Sequence, residues 1–303
     1  MKKQLSHLLI LILFPLMCIS QEYIDLFSIN YGKSGETSFN DLSQNTTITT
    51  FETNVTLPIV LNTKYAVITG INFGSNTLQL FPDSNYTHLY STLFKAGINV
   101  NHSEHWKGTY ILLPKVASDY INVSNEDFYF GGALVWKYKK NKNFSYSFGF
   151  YGSNEAYGFF ASPIIGLYYH SPNSRFEMNF NLPSDGTINY SLTDKTQIGF
   201  DYVGRGSSFK LTTATIRSTY VENNSLEFSS FIQRSFFNNI LLRLKIGFST
   251  NQFEVYPIDQ KLDLKISVLK FGDHRTQLNT DYSSSAFFKI EGIYRFDIGI
   301  NKK

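Results

Sequence analysis

The chain of 303 residues carries 27 basic and 24 acidic side chains, a formal net charge of +3, and 17% aromatic residues. So balanced a charge gives no support to nucleic-acid binding, and nothing after residue 20 reaches the roughly 18 consecutive apolar residues that a membrane-spanning helix needs. The only cysteine is Cys18, which excludes a disulfide within the chain.

The first 20 residues have the pattern of a secretory signal peptide. Two lysines precede an apolar run, Leu8–Ile19, that is too short to span a membrane. We expect cleavage after Ser20, which leaves residues 21–303 as one exported domain. Lipidation of Cys18 is the alternative, and the bulky residues just before this cysteine disfavour it.

The rest of the sequence is a succession of runs in which apolar and polar residues alternate. Strand side chains point to opposite faces with a period of two, so each run predicts a strand with one apolar face. Breaks rich in Asn, Ser, Pro and Gly separate the runs. In chain order the predicted strands are Tyr23–Lys33, Thr46–Val60, Tyr65–Phe81, His88–Asn101, Trp106–Val116, Asp127–Lys139, Phe144–Phe150, Phe159–Tyr169, Phe176–Leu182, Ile188–Leu192, Ile198–Tyr202, Ala214–Val221, Leu226–Arg234, Ile240–Phe248, Leu262–Phe271 and Ala286–Ile300.

The last run, Ala286–Ile300, alternates over its whole length. One face is wholly apolar, and the opposite face carries Lys289, Glu291, Arg295 and Asp297. The run exceeds the roughly 9–11 residues that a tilted strand needs to cross a bilayer. We expect it to close a barrel by pairing with the first strand.

A soluble β-sandwich is the alternative to a membrane barrel. A sandwich tolerates lapses in its apolar faces, whereas nearly every run here keeps an apolar face opposite a small or charged one. An outward-apolar, inward-polar pattern is typical of transmembrane barrels. We therefore predict an all-β fold, a single antiparallel transmembrane barrel of about 14 strands, within a range of roughly 12 to 16, in the bacterial outer membrane. Short breaks at one end and mostly longer ones at the other fit this fold.

Two late segments resemble a known family. They are Leu269–Asp281, which contains Asp273-His274-Arg275, and the closing Ile293-Tyr294-Arg295-Phe296. They resemble an uncharacterised Bacteroidetes-type family of outer-membrane β-barrel proteins, a domain of unknown function. The resemblance implies a barrel in the outer membrane and brings no activity, cofactor or catalytic residue. The expected partners of such a barrel are membrane lipid and, during biogenesis, the barrel-assembly machinery.

Charged residues opposite the apolar faces are predicted to face the lumen. Basic residues are in mild excess, and the signs alternate along single strands. One interpretation is a lumen closed by ion pairs, and the other is a wetted pore with a slight anion preference. The candidates are Lys95, Lys137, Arg175, Glu177, Asp201, Arg217, Arg243, Lys245, Asp263, Lys265, Lys289, Glu291, Arg295 and Asp297.

Two clusters contain residue types that are used in catalysis or metal binding. Asp273 and His274, with Ser283–Ser285 nearby, have the types of a base and a nucleophile. His102 and His105 flank Glu104, as metal ligands do at some sites. Solvated loops and turns explain both clusters equally well, and nothing marks one serine as activated. We predict no catalytic residues, no metal site and no cofactor.

Three functions fit this reading of the sequence. The favoured one is a porin-like barrel for passive passage of small polar solutes. The alternative is a non-conducting surface barrel with a structural or partner-binding role through its outer loops, whose lumen is occluded by paired charges and by aromatic residues such as Tyr129 and Phe287. A lipid-active hydrolase is the third.

Overall fold

A computed structural model describes residues 23–40, 42–212, 218–237 and 239–297. The predicted signal peptide lies outside these residues, as do Arg217 and the end of the predicted closing strand. Fourteen long strands dominate the described chain. They are β1 (Tyr23–Ser34), β2 (Thr49–Val60), β3 (Tyr65–Leu78), β4 (Thr87–Asn101), β5 (Trp106–Ser118), β6 (Phe128–Asn141), β7 (Phe144–Glu155), β8 (Gly158–His170), β9 (Phe176–Leu182), β10 (Asp185–Thr193), β11 (Thr196–Gly204), β12 (Leu226–Phe236), β13 (Ile240–Ser249) and β14 (Ser285–Asp297).

The fourteen strands form one closed antiparallel barrel. Each strand pairs with the strands that precede and follow it in the barrel, and β14 pairs with β1. This seam runs from Tyr23 opposite Asp297 to Ser34 opposite Phe287. The pairing of β14 with β1 satisfies the backbone N–H and C=O groups of both strands. The barrel therefore has no open sheet edge whose backbone groups would need water. The predicted fold class, an antiparallel barrel of about 14 strands, is confirmed.

The two ends of the barrel differ in their connections. At the short-turn end, where β1 begins and β14 ends, every connection between strands has at most five residues. At the long-loop end, residues 35–48, 79–86, 119–127, 205–225 and 250–284 connect strands, beside two tight turns at 156–157 and 183–184. The predicted separation of short and long connections therefore holds in general, with these two turns as the exceptions.

The outer surface of the barrel is apolar. In β13, Leu242, Leu244 and Ile246 are exposed, whereas the intervening Arg243 and Lys245 are buried. An apolar surface of this extent is unfavourable in water and matches the lipid-facing band of a membrane barrel. Among the described residues, no helix is long and apolar enough to cross a membrane.

A smaller sheet covers the long-loop end. Three strands pair antiparallel within it, Ser207–Leu211 with Thr219–Asn223, and Thr219–Asn223 with Phe253–Pro257. The hairpin of Leu264–Ile266 and Leu269–Phe271 lies beside them. We call the described residues of 205–225 and 250–284 the cap. Elsewhere at this end, Thr37–Ser38 pairs with Asn45–Thr46, and residues Asn125–Asp127 form a 3₁₀ helix.

The cap shares one apolar core with the rim of the barrel. Burial of these side chains, several of them aromatic, is the main force holding the cap in place. The rim and its loops contribute Phe39, Ile48, Leu78, Leu80, Leu89, Ala117, Tyr129, Ala156 and Tyr157. The cap contributes Phe209, Leu211, Tyr220, Val221, Phe253, Val255, Tyr256, Leu262 and Tyr282.

Two runs that were predicted to be barrel strands belong to the cap. The run Leu262–Phe271 forms the cap hairpin, so Asp263 and Lys265 lie in the cap and not on a barrel strand. The described part of Ala214–Val221 belongs to the cap strand Thr219–Asn223. An apolar face that packs on the cap core alternates along the sequence just as one that faces lipid does, so periodicity cannot separate the two.

Candidate functional site

Most of the predicted lumen charges lie on barrel strands, on the face opposite the exposed apolar residues. These are Lys95, Lys137, Glu177, Asp201, Arg243, Lys245, Lys289, Glu291 and Arg295. Arg175 was predicted with them, but it lies exposed in the turn before β9, because that strand begins one residue later. Asp297 ends β14, and Arg217 lies outside the described residues.

The inward charges of β11 to β14 form a connected ion-pair network. Nζ of Lys245 lies 2.7 Å from Asp201 and 3.2 Å from Glu291. Arg243 lies 3.3 Å from Glu291 and donates hydrogen bonds of 2.6 and 3.0 Å to Gln233. The charged side chains here are only 7–15% exposed. This part of the lumen is therefore filled by mutually satisfied side chains.

A second set of ion pairs lies closer to the long-loop end and crosses the lumen. Glu227 of β12 accepts a hydrogen bond of 2.5 Å from Lys289 and lies 3.4 Å from Arg205. Arg205 also pairs with Glu52 of β2. Arg205 directly follows β11 as the first residue of the cap, and β2 is not a neighbour of β11, so this pair joins the base of the cap to a distant strand of the barrel wall. Sequence alternation did not single out Arg205, because it follows the end of its strand.

The first residue of β1 makes another contact across the lumen. The Tyr23 hydroxyl donates a hydrogen bond of 2.5 Å to Oε1 of Glu177 on β9. The Tyr23 ring also lies 3.5 Å from the guanidinium carbon of Arg295, which is paired with Asp25 at 2.6 Å. The position of Tyr23 at the very start of its strand gave no sequence signal for this role.

The two aromatic residues predicted to occlude the lumen are both buried. Tyr129 is 7% exposed and Phe287 is 6% exposed. Lys115 lies 5.1 Å from the centre of the Tyr129 ring, and Lys289 lies 4.8 Å from the centre of the Phe287 ring. Each ring thus packs beside an inward ammonium group at a distance typical of cation–π contact.

A cavity of about 300 Å³ lies on the other side of the lumen, at the short-turn end. Its polar lining comes mainly from β5 to β9 and from the turn at 102–105, so the cavity is reached from that end. The lining includes Lys107, Lys137 and Lys139. In the part of the chain that the structure describes, neither Lys137 nor Lys139 forms an ion pair with a carboxylate; Lys137 instead lies over the Tyr168 ring at 5.4 Å.

A buried hydrogen-bond cluster joins the cap to the barrel. Glu155, at the end of β7, pairs with Lys115 of β5 at 2.8 Å. Glu155 also accepts hydrogen bonds from the backbone N–H and the hydroxyl of Ser208 in the cap, at 3.0 and 2.7 Å. The Ser208 hydroxyl in turn accepts a bond of 2.8 Å from the backbone N–H of Ala156. Ser208 is therefore a polar link between cap and barrel.

Backbone pairing between the cap strands and the barrel is short. The cap strand Ser207–Leu211 pairs with β5 only at Lys210 and Ser118. The cap hairpin pairs in parallel with β8 at two positions, Phe160 with Lys265 and Ala161 with Ile266. Neighbouring barrel strands, in contrast, pair over most of their length. In its described residues, the cap is therefore joined to the barrel strands by only a few ladder pairs.

Arg275 is the polar centre of the cap. Its guanidinium lies 2.7 Å from Glu222, 2.9 Å from Asp273, and 4.0 Å from the centre of the Tyr256 ring, and its side chain is 1% exposed. Lys265 pairs with the other oxygen of Glu222 at 2.7 Å. Burial alone would raise the pKa of Glu222, but the charges of Lys265 and Arg275 outweigh it and lower that pKa. Of the two segments that carry the family resemblance, Leu269–Asp281 thus lies in the cap, and Ile293–Phe296 lies on β14.

The residues considered for catalysis make other contacts. The Asp273 carboxylate accepts hydrogen bonds from Arg275, which lower its pKa. The hydroxyl of Ser283 accepts a bond from the backbone N–H of Ser38, and that of Ser285 is bonded to Thr37 and Asn251. Hydrogen bonds from the cap and the β1–β2 loop therefore occupy these serines.

The histidines considered for metal binding point to separate partners. His102 lies 3.0 Å from the Tyr110 hydroxyl, and Nδ1 of His105 lies 2.9 Å from the backbone oxygen of Lys139. Within the described ranges, no group of three His, Cys, Asp or Glu side chains is arranged to hold a metal ion.

Comparison with known proteins gives a family and a set of similar folds. A family model described as "Domain of unknown function (DUF6268)" matches residues 17–291. No curated protein matches the chain.

Solved structures of outer-membrane proteins have a similar fold. The NanC porin is 10% identical, with 88% of this chain and 98% of that chain covered and a TM-score of 0.38. The Pseudomonas putida toluene transporter TodX is 8% identical, with 89% and 88% covered and a TM-score of 0.35. The translocator domain of the autotransporter NalP from Neisseria meningitidis is 9% identical, with 90% and 89% covered and a TM-score of 0.34. At such low identities and TM-scores, we draw no functional conclusion from these likenesses.

Proposed function

Because the chain belongs to the DUF6268 family, whose description assigns no activity, we propose a function from the geometry of the barrel: a porin-like outer-membrane protein that passes small polar solutes when its cap moves. Residues 1–20 direct export, and residues 21–303 form the barrel domain, which the barrel-assembly machinery inserts. We propose no catalytic activity for it.

The observation that carries this proposal is a polar lumen that is accessible at one end and covered at the other. The cavity at the short-turn end is lined by lysine, serine, asparagine and tyrosine side chains together with apolar ones such as Val135, Leu167 and Phe180. Toward the long-loop end, ion pairs and then the cap block the way. A passive pore with this geometry conducts only if the cap opens.

The attachment of the cap supports such opening. Among the described residues, the ladder pairs between the cap strands and the barrel strands are Lys210–Ser118, Lys265–Phe160 and Ile266–Ala161, and single backbone hydrogen bonds, such as that from Leu262 N–H to the Tyr157 carbonyl, add to them. A structural unit can open at a lower free energy than the whole protein unfolds, and the small number of ladder pairs makes the cap such a unit. The apolar core shared with the rim keeps the cap closed at rest, so open states are expected to be rare.

A specific observation favours a second candidate function. The ion-pair network of β11 to β14 is buried, and the Arg205–Glu52 pair crosses the lumen. Such packing also fits a non-conducting barrel that acts through its outer loops as a structural or partner-binding surface protein. A conductance measurement distinguishes the two candidate functions, because only the porin-like barrel is expected to conduct.

An engineered disulfide between cap and barrel tests the proposal. Ala161 of β8 and Ile266 of the cap are register partners, and adjacent strands are about 4.8 Å apart, which suits a disulfide. The remaining cysteine, Cys18, is removed if the signal peptide is cleaved. We expect discrete conductance steps in planar bilayers from the native protein and from the reduced Ala161→Cys/Ile266→Cys variant. The oxidised variant, in which the disulfide holds the cap on the barrel, should show no steps.

Two results would contradict the proposal. Equal conductance from the oxidised and reduced variant would mean that the cap does not control passage. An absence of steps from the folded native protein and from the reduced variant alike would favour the non-conducting barrel. The single variant Ala161→Cys, treated with oxidant, controls for effects of the reagent.

A further inference from the structure

Two lysines face each other on the wall of the short-turn cavity. Lys107 of β5 and Lys137 of β6 are direct register partners, and both line the cavity. Lys139 lies two residues further along β6, on the same face. Like charges directly opposite each other destabilise a sheet. An anion placed beside Lys137 and Lys139, which form no ion pair with a carboxylate within the described residues, would reduce the repulsion among these ammonium groups.

Small and neutral polar residues continue the row of Lys107 and Lys137 across the next strands. Lys137 is the register partner of Ser147, Ser147 that of Gly166, and Gly166 that of Asn181. A Cβ atom added at Gly166 would collide with the Ser147 hydroxyl, so this hydroxyl leans over the glycine. The row thus presents two cations followed by a hydroxyl and the amide of Asn181, whose NH2 group donates a hydrogen bond of 3.1 Å to Asp185 and whose oxygen is the group that can accept one from a ligand.

A parallel row lies one step closer to the short-turn end. Here Lys139 is the partner of Ser145, Ser145 that of Tyr168, and Tyr168 that of Asn179. The Tyr168 ring is nearly buried and lies under the Lys137 ammonium group. The two rows together bring charged, hydroxyl and amide groups to one concave surface.

The charge of this wall differs from that of the wall across the lumen. On β12 to β14, inward cations such as Arg243 and Lys289 have carboxylate partners. Among the described residues that line the cavity, Glu104, in the turn before β5, is the one carboxylate against three lysines. Charged rings and patches of this kind set the preference of a pore for one sign of ion.

We propose that this surface, defined by Lys107, Lys137, Lys139, Ser147 and Asn181, binds a small solute that carries an oxyanion and hydroxyl groups. The lysines would hold the carboxylate or phosphate group, and the serine and amide groups would bond the hydroxyls. A volume of about 300 Å³ is at the lower end of the range for ligand sites, so the solute is small. The inference that such solutes pass through the pore rests on the proposed function. The inference that they bind at this surface does not, and a binding measurement tests it without conductance.

Calorimetric titration of the folded protein in neutral detergent at low salt tests the site. The probes are gluconate, inorganic phosphate, and sorbitol as the neutral analogue. We expect saturable binding of an oxyanion probe, no binding of sorbitol, and an affinity at least about tenfold weaker in Lys137→Gln, since one charge-assisted hydrogen bond is lost. The matched control is Lys142→Gln, which removes an exposed lysine from the neighbouring turn at the same rim.

Each outcome has a definite meaning. Tighter binding of gluconate than of phosphate assigns a hydroxylated carboxylate, and the reverse assigns a phosphate compound. Equal weakening by both variants would show a diffuse charge effect, and failure of the native protein to bind either oxyanion would exclude the site. Binding without conductance would support the binding site and contradict the pore proposal. Conductance without binding would support the pore proposal and contradict the binding site.

Discussion

Tyr23 and Glu177 lie on strands that face each other across the barrel, and a hydrogen bond of 2.5 Å joins their side chains. Tyr23 is on β1 and Glu177 on β9, with several strands between them in either direction around the barrel. The Tyr23 ring also contacts Arg295, the inward cation near the end of β14. The short-turn end of the lumen is therefore divided by a side-chain bridge, with the basic cavity beside it.

Removal of the Tyr23 hydroxyl should weaken the barrel measurably. Tyr23→Phe keeps the ring over Arg295 but removes the hydrogen bond that the Tyr23 hydroxyl donates to Glu177, and hydrogen bonds to charged groups contribute about 1.5–3 kcal/mol. We expect a lower free energy of unfolding in urea, measured in lipid vesicles by tryptophan fluorescence. Tyr31→Phe, which alters an exposed tyrosine on the same strand, is the control. Equal stability of the two variants would show that the bridge contributes nothing.

Loss of the Ser208 hydroxyl should loosen the cap. Ser208→Ala removes one hydrogen bond to the Glu155 carboxylate, which contributes about 1.5–3 kcal/mol as a bond to a charged group, and one from the backbone N–H of Ala156, which contributes about 1 kcal/mol. We expect more frequent opening events in planar bilayers, with an unchanged step size, because the lumen itself is not altered. Ser207→Ala, one residue earlier in the same cap strand, should behave like the native protein. A change in step size without a change in frequency would contradict this role.

The cap should lose stability in acid. The pKa of Glu222 is lowered in the folded cap, so its contribution is complete above pH 4.5, its ordinary value, and is lost as the pH falls through the lowered pKa. Asp273, whose pKa is lowered by its bonds with Arg275, acts in the same direction. We expect pepsin to cleave the cap more readily as the pH falls, while the barrel strands stay protected.

Glu222→Gln provides the check on this acid effect. The variant has no carboxylate to titrate at this position, so its cap should be cleaved more readily even at the upper end of pepsin's working range, and with a weaker dependence on pH. If native and variant proteins show the same pH profile, the Glu222 cluster is not the acid-sensitive element of the cap.

A charge on the outer face should destabilise the barrel only where lipid surrounds it. Leu244 lies near the middle of β13, and Val268 lies in the cap hairpin; both are exposed. Lysine at the bilayer midplane costs a membrane barrel about 2–4 kcal/mol. We expect Leu244→Lys to lower the free energy of unfolding in vesicles by about this amount, and Val268→Lys to leave it nearly unchanged. Similar losses from both would argue against a lipid-facing β13.

Sequence alternation predicted the barrel well because lipid and closure constrain every strand in the same way. In β13 the exposed Leu242 and Leu244 alternate with the buried Arg243 and Lys245, as the sequence pattern required. The same rule failed for Leu262–Phe271, which packs in the cap. An apolar face predicts that something apolar covers it, and it does not say whether that is lipid or protein.

The sequence alone determined the all-β architecture, the apolar outer face and most of the inward charges on the barrel strands, since these follow from local periodicity. Only the tertiary structure decided which charges pair. Lys289 meets Glu227 and Lys265 meets Glu222, at separations of 62 and 43 residues, whereas Lys137 faces Lys107. Such partners are set by strand register and by the fold of the cap. Both depend on contacts between distant parts of the chain, which no local pattern encodes.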